Sequence, residues 1–544
     1  MSEGDRSVGH AASSQSLTAK TVAGLRWTYL ESVSTAGAQA VYVAVMSRLL
    51  DPVAFGLMAI ANLSMVLGFQ IAQMGVANAL IQRSDIDEQD VRAGFTSGLV
   101  LGALTASVFL FTAPLISDVF NEPDAVGILR VMAGNFLLTG LQMTSQGLLR
   151  RALRFRVMAI VGVVATVSGF VVGIVLALLG AGVWSLVTAV LTHSVLRTAL
   201  YYAATRHSLR PILRWTPYRE LYSFGSRSTS LRFLEFLGGN LDTFAVGRYT
   251  STYTLGLYNR AFYLVKLPMG QYLANSLTKV LFPGFSRIQA DDERTRRVYL
   301  NAILLGGVVL FPICAGIAVA SRELILVVLG DGWDAAAVFV PWFALGAGLS
   351  ILSRLGLLLC ESRAELNKAL MLEISSVSLF GALLLLATRL DTWAFAAALA
   401  ATEVLRHIAY QVLLQRVLDL RIGQLLFSYV PPLAAAAWTA AVIALGRLTA
   451  FWAGLPIPVV LVIEIVLGLF AMMLYVRLSP FRVVRNQLRN RMVAAGMLKP
   501  ERSVRMRAMS LLLGRVAQSA EISAMDPRSP RQREPAPPDA EVSR

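Results

Sequence analysis

Glu235 and Asp242 stand seven residues apart, which puts both on one face of a helix. Arg232 precedes them by one turn, and Gly238, Gly239 and Asn240 lie between the acids. The run around them, 223–248, is otherwise largely apolar. The next apolar run, 258–282, carries Arg260 near its start, Lys266 deeper in, then Gln271 and Asn275. Earlier runs contribute Glu31 on the first, and Asn62, Gln70 and Gln73 on the second. Two kinds of chemistry follow from these side chains. Arg232, Arg260 and Lys266 are suited to hold an anionic group such as a pyrophosphate, through charge-assisted and, for arginine, bidentate hydrogen bonds. Glu31, Glu235 and Asp242 are suited to bind a proton or a coupling cation. A plainer reading of Arg232 and Glu235 is an i,i+3 ion pair that eases insertion into a membrane. Lys266 has no acid close to it in sequence, which favours a functional role there.

Other charges read more simply. Arg26, Arg227, Lys279, Arg354, Glu373 and Arg406 fall near the ends of apolar runs, where long side chains snorkel or anchor. His193, and Glu403 with His407, read as inter-helix hydrogen bonds, with a proton relay as the alternative. Glu464 finds no role in this pattern. Cys314 and Cys360 lie in separate apolar runs and read as small buried hydrophobes rather than as a disulfide or metal pair.

The elements that position these groups are set by composition. Of 544 residues, 56% are hydrophobic and 15% charged, and mean hydropathy is +0.61. A soluble chain with so few charges could not cover so much apolar surface. The expected fold is an all-α polytopic membrane protein. A span needs roughly 20 apolar residues, and the runs near 23–45, 55–80, 93–113, 127–147, 157–179, 184–204 and 223–248 qualify. Seven more run near 258–282, 299–320, 338–360, 369–389, 393–413, 426–447 and 457–477, giving about 14 spans. The first lacks the pattern of a cleavable signal peptide and is expected to act as an uncleaved anchor.

The net charge of +16 resides mainly in short loops and the tail, which argues against a nucleic-acid partner. Alternate loops hold eighteen Lys and Arg on one side against five on the other. By the positive-inside rule the richer side is cytoplasmic, and an even span count leaves both termini there. Residues 47–67 and 247–267 match at an offset of 200, pairing Arg48 with Arg248, Gly56 with Gly256 and Leu57 with Leu257. Both segments follow the first span of a six-span set, so the halves are expected to be parallel repeats. The division is then a cytoplasmic segment 1–22, a six-helix bundle 23–204, a second bundle 223–413, two extra helices within 426–477, and a basic tail 478–544. The tail includes a stretch at 503–516 that could lie on a membrane surface, and from 525 it should be disordered.

Enzyme readings lack their parts. No GK dipeptide is present for a Walker A loop, and the four histidines form no zinc-binding pair. No cofactor or metal is expected. The longest non-cytoplasmic loop, about 321–337, is too short for a catalytic domain. A transporter without ATP chemistry remains, and a transporter built of parallel halves places its substrate between them.

The phrases LTAKTVAGLRWTYLES, SRLLDPVAFGLMAIA, LGLYNRAFYLVKLPMGQYLANSLTKVLFPGFSR and ELILVVLGDGWDAAA resemble Wzx-type polysaccharide flippases of the multidrug/oligosaccharidyl-lipid/polysaccharide exporter superfamily. The resemblance runs from about 17 to about 420. It implies two six-helix bundles around a V-shaped cavity lined by spans 1, 2, 7 and 8. It also implies transfer of undecaprenyl-pyrophosphate-linked oligosaccharide units across the bacterial inner membrane for O-antigen, capsule or exopolysaccharide. Membrane lipid, a polymerase and a chain-length regulator would be its partners. A lipid II flippase and a cation-coupled multidrug exporter are the alternatives within the superfamily. A membrane-embedded polymerase or glycosyltransferase is the alternative outside it.

Overall fold

The computed structural model describes residues 3–73, 86–212, 238–266, 269, 285, 287–288, 291–363 and 365–479, and they hold helices and turns with no strand. The first half contains α1 (Glu3–Leu49), α2 (Pro52–Gln73), α3 (Glu88–Phe120), α4 (Ala125–Arg151), α5 (Phe155–Leu178) and α6 (Val183–Thr205). After it come α7 (238–249), α8 (Thr252–Lys266), α9 (Asp292–Val319), a short α10 (Ser321–Leu329) and a 3-10 turn at Asp334–Val338. The remaining helices are α11 (Val340–Ser362), α12 (Leu366–Ala387), α13 (Trp393–Leu418), α14 (Ile422–Trp452) and α15 (Ile457–Leu478). By packing, residues up to Ala471 form one unit, and Met472 onward, the end of α15 and the tail, another.

Among the described residues, nine helices are long and apolar enough to cross a bilayer: α3, α4, α5, α6, α9, α11, α12, α14 and α15. Each overlays an expected span. The helices extend beyond the apolar runs because backbone hydrogen bonding continues through the polar ends at the interface. In α1 the helix starts at Glu3, twenty residues ahead of its apolar run, with no proline to stop it. The described part of α2 holds a shorter apolar run, Pro52–Val66, and Glu403 and Arg406 interrupt α13. The chain is an all-α, multi-pass membrane protein.

Contacts within the first unit fall into two groups. In one, α1 packs on α5, α2 on α3 and α4, α3 on α4, and α6 on α4 and α5. In the other, α9 packs on α11 and α14, while α11 packs on α8, α12 and α13. The groups meet where α2 lies against α8 and α1 against α10.

The turns that start α2 and α8 are tighter than the sequence implies, and they are capped alike. Asp51 Oδ1 accepts from the Ala54 N–H at 2.9 Å, with Pro52 at the first helical position. Two hundred residues later, Ser251 Oγ accepts from the Thr254 N–H at 3.2 Å. The same offset governs the contact between the two helices. A Cβ on Gly56 would run into the carbonyl oxygen of Thr252, and a Cβ on Gly256 into that of Pro52. The exchange is reciprocal: each glycine receives the first turn of the other helix.

Candidate functional site

A clasp surrounds that glycine contact. Arg48, at the end of α1, donates from Nη1 to the Val328 carbonyl at 3.0 Å and from Nη2 to the Val327 carbonyl. It thereby caps the carbonyl end of α10, where the helix dipole favours a cation. Arg248, its partner at the 200-residue offset, donates from Nη1 to the side-chain oxygen of Asn121 at 2.6 Å, with the Asn121 amide turned to present that oxygen. Asn121 is the C-cap of α3. Each arginine thus reaches from the end of one group to a helix end of the other. Thr252 Oγ1 donates to Glu122, and Trp333 Nε1 donates to the Ser47 carbonyl at 2.8 Å. Trp333 is almost wholly buried.

Beneath the clasp, α1, α2, α5, α6 and α8 line a half-open cavity of about 280 Å³. Gln39, Tyr42, Asn62, Phe170, His193 and Arg260 are among its lining side chains. Tyr42 stacks on Phe170, with ring centres 4.1 Å apart. The Arg260 guanidinium lies over the Phe55 ring at 4.6 Å and near the Tyr263 ring at 5.2 Å. Its Nη2 donates to Asn259 Oδ1 at 3.0 Å, whereas its buried Nε has no partner. The buried Tyr42 hydroxyl also lacks one. Among the described residues no carboxylate pairs with Arg260. Aromatic faces satisfy part of its charge, and the buried Nε donor is left without an acceptor.

The other expected site residues are placed as follows. Asn62 lines this cavity with Arg260. Glu31 is half-buried on α1 with its carboxylate against Gly162, where a Cβ would have no room, and the charges of Arg197 and Arg150 bear on it. Asp242 is buried on α7, accepting from the Tyr258 hydroxyl at 3.0 Å and the Thr243 N–H at 2.8 Å. Lys266 lies over the Phe262 ring at 4.5 Å, and its charge bears on Asp242. Lys266 has no acid near it in sequence, as expected; the carboxylate on which its charge bears comes from α7, twenty-four positions away. Asn240 is half-buried on α7. Gln70 and Gln73 fall on α2, with side chains outside the described set. Arg232, Glu235, Gln271 and Asn275 lie outside the described residues.

Tyr42, Gln39, Phe170 and His193 were not among the expected cavity residues. A signal existed for α1, where Glu31, Thr35, Gln39 and Tyr42 recur at helical spacing as a polar stripe. Glu373 and Arg406, read as anchors, instead join an intramembrane network. Arg406 binds Glu403 at 2.6 Å and Glu373 at 3.4 Å, and the Tyr410 hydroxyl donates to Glu373 at 2.7 Å. His407 makes the inter-helix bonds expected of it, with Ser353 at 3.1 Å and with Tyr429 on α14 at 2.7 Å. A larger, open hollow of about 710 Å³ lies at the ends of α11, α12 and α13. Two of its cations are taken locally, Arg363 by Asp292 and Lys368 by Glu365.

A clasp over a cavity that holds Arg260, set in apolar helices, is the site this multi-pass membrane protein presents. The fold agrees with that of the solved "Lipid II flippase MurJ, inward closed conformation", at a TM-score of 0.65 and 11% identity, covering 82% of this chain and 98% of that one. A family model described as "Polysaccharide biosynthesis protein" matches residues 45–338, and the chain belongs to that family. It is 25% identical over 359 residues to the "Lipopolysaccharide biosynthesis protein WzxC" of Escherichia coli (strain K12), covering 65% of this chain and 72% of that one. It is likewise 25% identical over 356 residues to the "Teichuronic acid biosynthesis protein TuaB" of Bacillus subtilis (strain 168), with 64% and 73% covered. The "Succinoglycan biosynthesis transport protein ExoT" of Rhizobium meliloti (strain 1021) is 27% identical over 338 residues, with 61% and 67% covered.

Proposed function

We propose that the chain is a flippase that moves undecaprenyl-pyrophosphate-linked oligosaccharide units from the inner to the outer leaflet of the bacterial inner membrane. The polymer supplied would be O-antigen, capsule or exopolysaccharide. The observation that carries this reading is Arg260, a cavity guanidinium with a free buried donor and no carboxylate partner among the described residues. A pyrophosphate supplies the missing charge and acceptors. The names of the relatives, all polysaccharide biosynthesis proteins and one a transport protein, support the same substrate class.

The basic loops support cytoplasmic termini, which turn the clasp towards the periplasm and leave the cavity to load from inside. The two packing groups then act as the two halves of an alternating-access carrier, with α14 packed on the second and α15 following it. Lys266 and, outside the described residues, Arg232 extend the cationic surface. Glu31, Asp242 and Glu235 are the acids available for coupling. The membrane potential is worth about 2.3 kcal/mol per charge per 100 mV. If cavity cations neutralise the pyrophosphate, that potential acts chiefly on the return of the empty, cationic cavity. Nothing in this cycle makes or breaks a sugar bond, so the chain works as a carrier and hands its cargo to a separate polymerase and chain-length regulator.

The test is transfer of radiolabelled lipid-linked oligosaccharide in proteoliposomes. Loss of charge-assisted bonds worth about 1.5–3 kcal/mol makes Arg260→Ala roughly tenfold or more slower, with Arg260→Lys in between. Full-rate transfer by Arg260→Ala refutes the cavity assignment. Recovery of chemically altered substrate points to polymerase chemistry instead.

A further inference from the structure

The open hollow at the ends of α11, α12 and α13 shares no lining residue with the Arg260 cavity. Among the described residues, Arg363, Lys368 and Arg416 line it with one acid, Glu365, and with Leu413 and Val417. Two of the cations are partly spent. Arg363 donates from Nη2 to Asp292 Oδ1 at 2.5 Å, while its Nε is buried without a partner. Lys368 Nζ donates to Glu365 Oε1 at 2.9 Å, with 52% of the lysine side chain still exposed. Arg416 is exposed, and among the described residues it forms no ion pair, with Asp419 three positions on or with any other acid. Arg296 brings a further cation to this end of α13, donating to the Leu418 carbonyl from Nε at 3.0 Å and from Nη2 at 2.7 Å.

Pairing Arg363 with Asp292 and Lys368 with Glu365 leaves Arg416 as the surplus charge among the lining residues. A single negative charge balances it, which is the charge of a phosphodiester; a pyrophosphate brings more. The guanidinium supplies a planar fork of donors that suits phosphate oxygens, and the lysine adds a mobile one. The flanks of the hollow are apolar. Leu366, Leu370 and Met371 of α12 and Val412 of α13 all stand within a turn of its lining residues in sequence, and all are exposed. Because α12 is among the helices able to cross a bilayer, its exposed apolar residues face acyl chains. A basic hollow at the end of spanning helices, bordered by lipid-facing residues, is the form of a phospholipid headgroup site.

We propose that this hollow binds the phosphodiester of an anionic phospholipid, with Arg416 and Lys368 on the phosphate and the acyl chains along the exposed face of α12. A zwitterionic headgroup fits less well, because it brings an ammonium beside the same cations. The bound lipid ties the ends of α12 and α13 to the membrane surface on the side where the basic loops lie. The site is independent of the flippase reading, since none of its residues lines the Arg260 cavity.

The full-length protein in mild detergent, titrated with phosphatidylglycerol or phosphatidylcholine and read by native mass spectrometry, tests this. The parent should retain phosphatidylglycerol in preference to phosphatidylcholine. Each cation near an anionic lipid contributes about fivefold in affinity. Lys368→Gln combined with Arg416→Gln should therefore weaken phosphatidylglycerol binding about 25-fold and leave phosphatidylcholine unchanged. Arg416→Gln alone removes a side chain that no acid holds in the fold; it should cost about fivefold and carries the test if the double variant does not accumulate. Arg260→Ala should keep the parent's preference, which separates this site from the cavity. Equal retention of phosphatidylglycerol by the parent and both glutamine variants overturns the site, and loss of the preference in Arg260→Ala moves the lipid to the cavity. Displacement of phosphatidylglycerol from the parent by inorganic phosphate, but not by chloride at equal ionic strength, makes the occupant a soluble phosphate and overturns the lipid assignment.

Discussion

Replacing Arg48 with alanine should open the clasp without touching the cavity. Arg48 donates to two carbonyls at the end of α10, and it also bonds the Ala44 carbonyl within its own helix at 2.9 Å. Only the first two bonds hold one group of helices to the other. A charged donor on a neutral acceptor is worth about 1.5–3 kcal/mol when shielded, and exposure of the Arg48 side chain reduces this. About 1 kcal/mol for each bond leaves roughly 2 kcal/mol for the pair, or about a thirtyfold shift in the closed-to-open ratio. The readout is a cysteine placed at Thr166 in the cavity wall, in a background where Cys314 and Cys360 are replaced. A membrane-impermeant thiol reagent added outside should label it many times faster in Arg48→Ala than in the parent. Arg248→Ala should act in the same direction, because its bond to Asn121 is the counterpart contact. Labelling of Arg48→Ala at the parent rate would show that the clasp does not govern opening.

Three further outcomes follow from individual contacts. Gly256→Val drives side-chain atoms into the Pro52 carbonyl, and overpacking of about 1–3 kcal/mol should lower the melting temperature of the detergent-solubilised protein. Arg406→Leu leaves the half-buried Glu403 and Glu373 without their cation; the cost stays below that of a fully buried pair, about 3–5 kcal/mol, and should be visible as reduced accumulation in the membrane. His207 lies after α6, outside the spans, where burial lowers its pKa despite a raising bond to the Ser208 carbonyl. It is neutral in the fold, so stability should be lost as pH falls below the ordinary histidine value of 6.5. His207→Gln, able to keep a bond to Ser145, should flatten that acid limb in a thermal melt.

The spans were legible because lipid demands an apolar run of a set length, and α3 to α6, α9, α11, α12, α14 and α15 follow those runs closely. Arg260 and Asn62 were legible as cavity residues for the complementary reason: a polar group in such a run must face away from lipid. Tyr42 and Phe170 were not, since an aromatic ring is tolerated on either face of a spanning helix. The Lys266 charge bears on Asp242 of a neighbouring helix, and helix-to-helix neighbours leave no trace in local spacing. Arg406 misled for that reason: its position near a helix end suggested snorkelling, while Glu373 on α12 draws it inward.

Phe55 links the two features that carry the proposed cycle. Its ring lies under Arg260 at 4.6 Å and meets Trp333 edge-on at 5.4 Å, and Trp333 donates to Ser47 in the clasp. An anion that draws the guanidinium off this ring withdraws a cation–π contact worth about 2 kcal/mol when desolvated. Phe55, otherwise packed in the core, then loses its tie to Arg260 and keeps its edge-on contact with Trp333. Phe55→Leu should retain most of the packing while losing the contact with Arg260, so cavity occupancy and clasp opening should uncouple. In the Thr166 labelling assay, lipid-linked oligosaccharide should speed labelling of the parent and leave Phe55→Leu unaffected. Equal substrate stimulation of both proteins would mean that the signal reaches the clasp by another route.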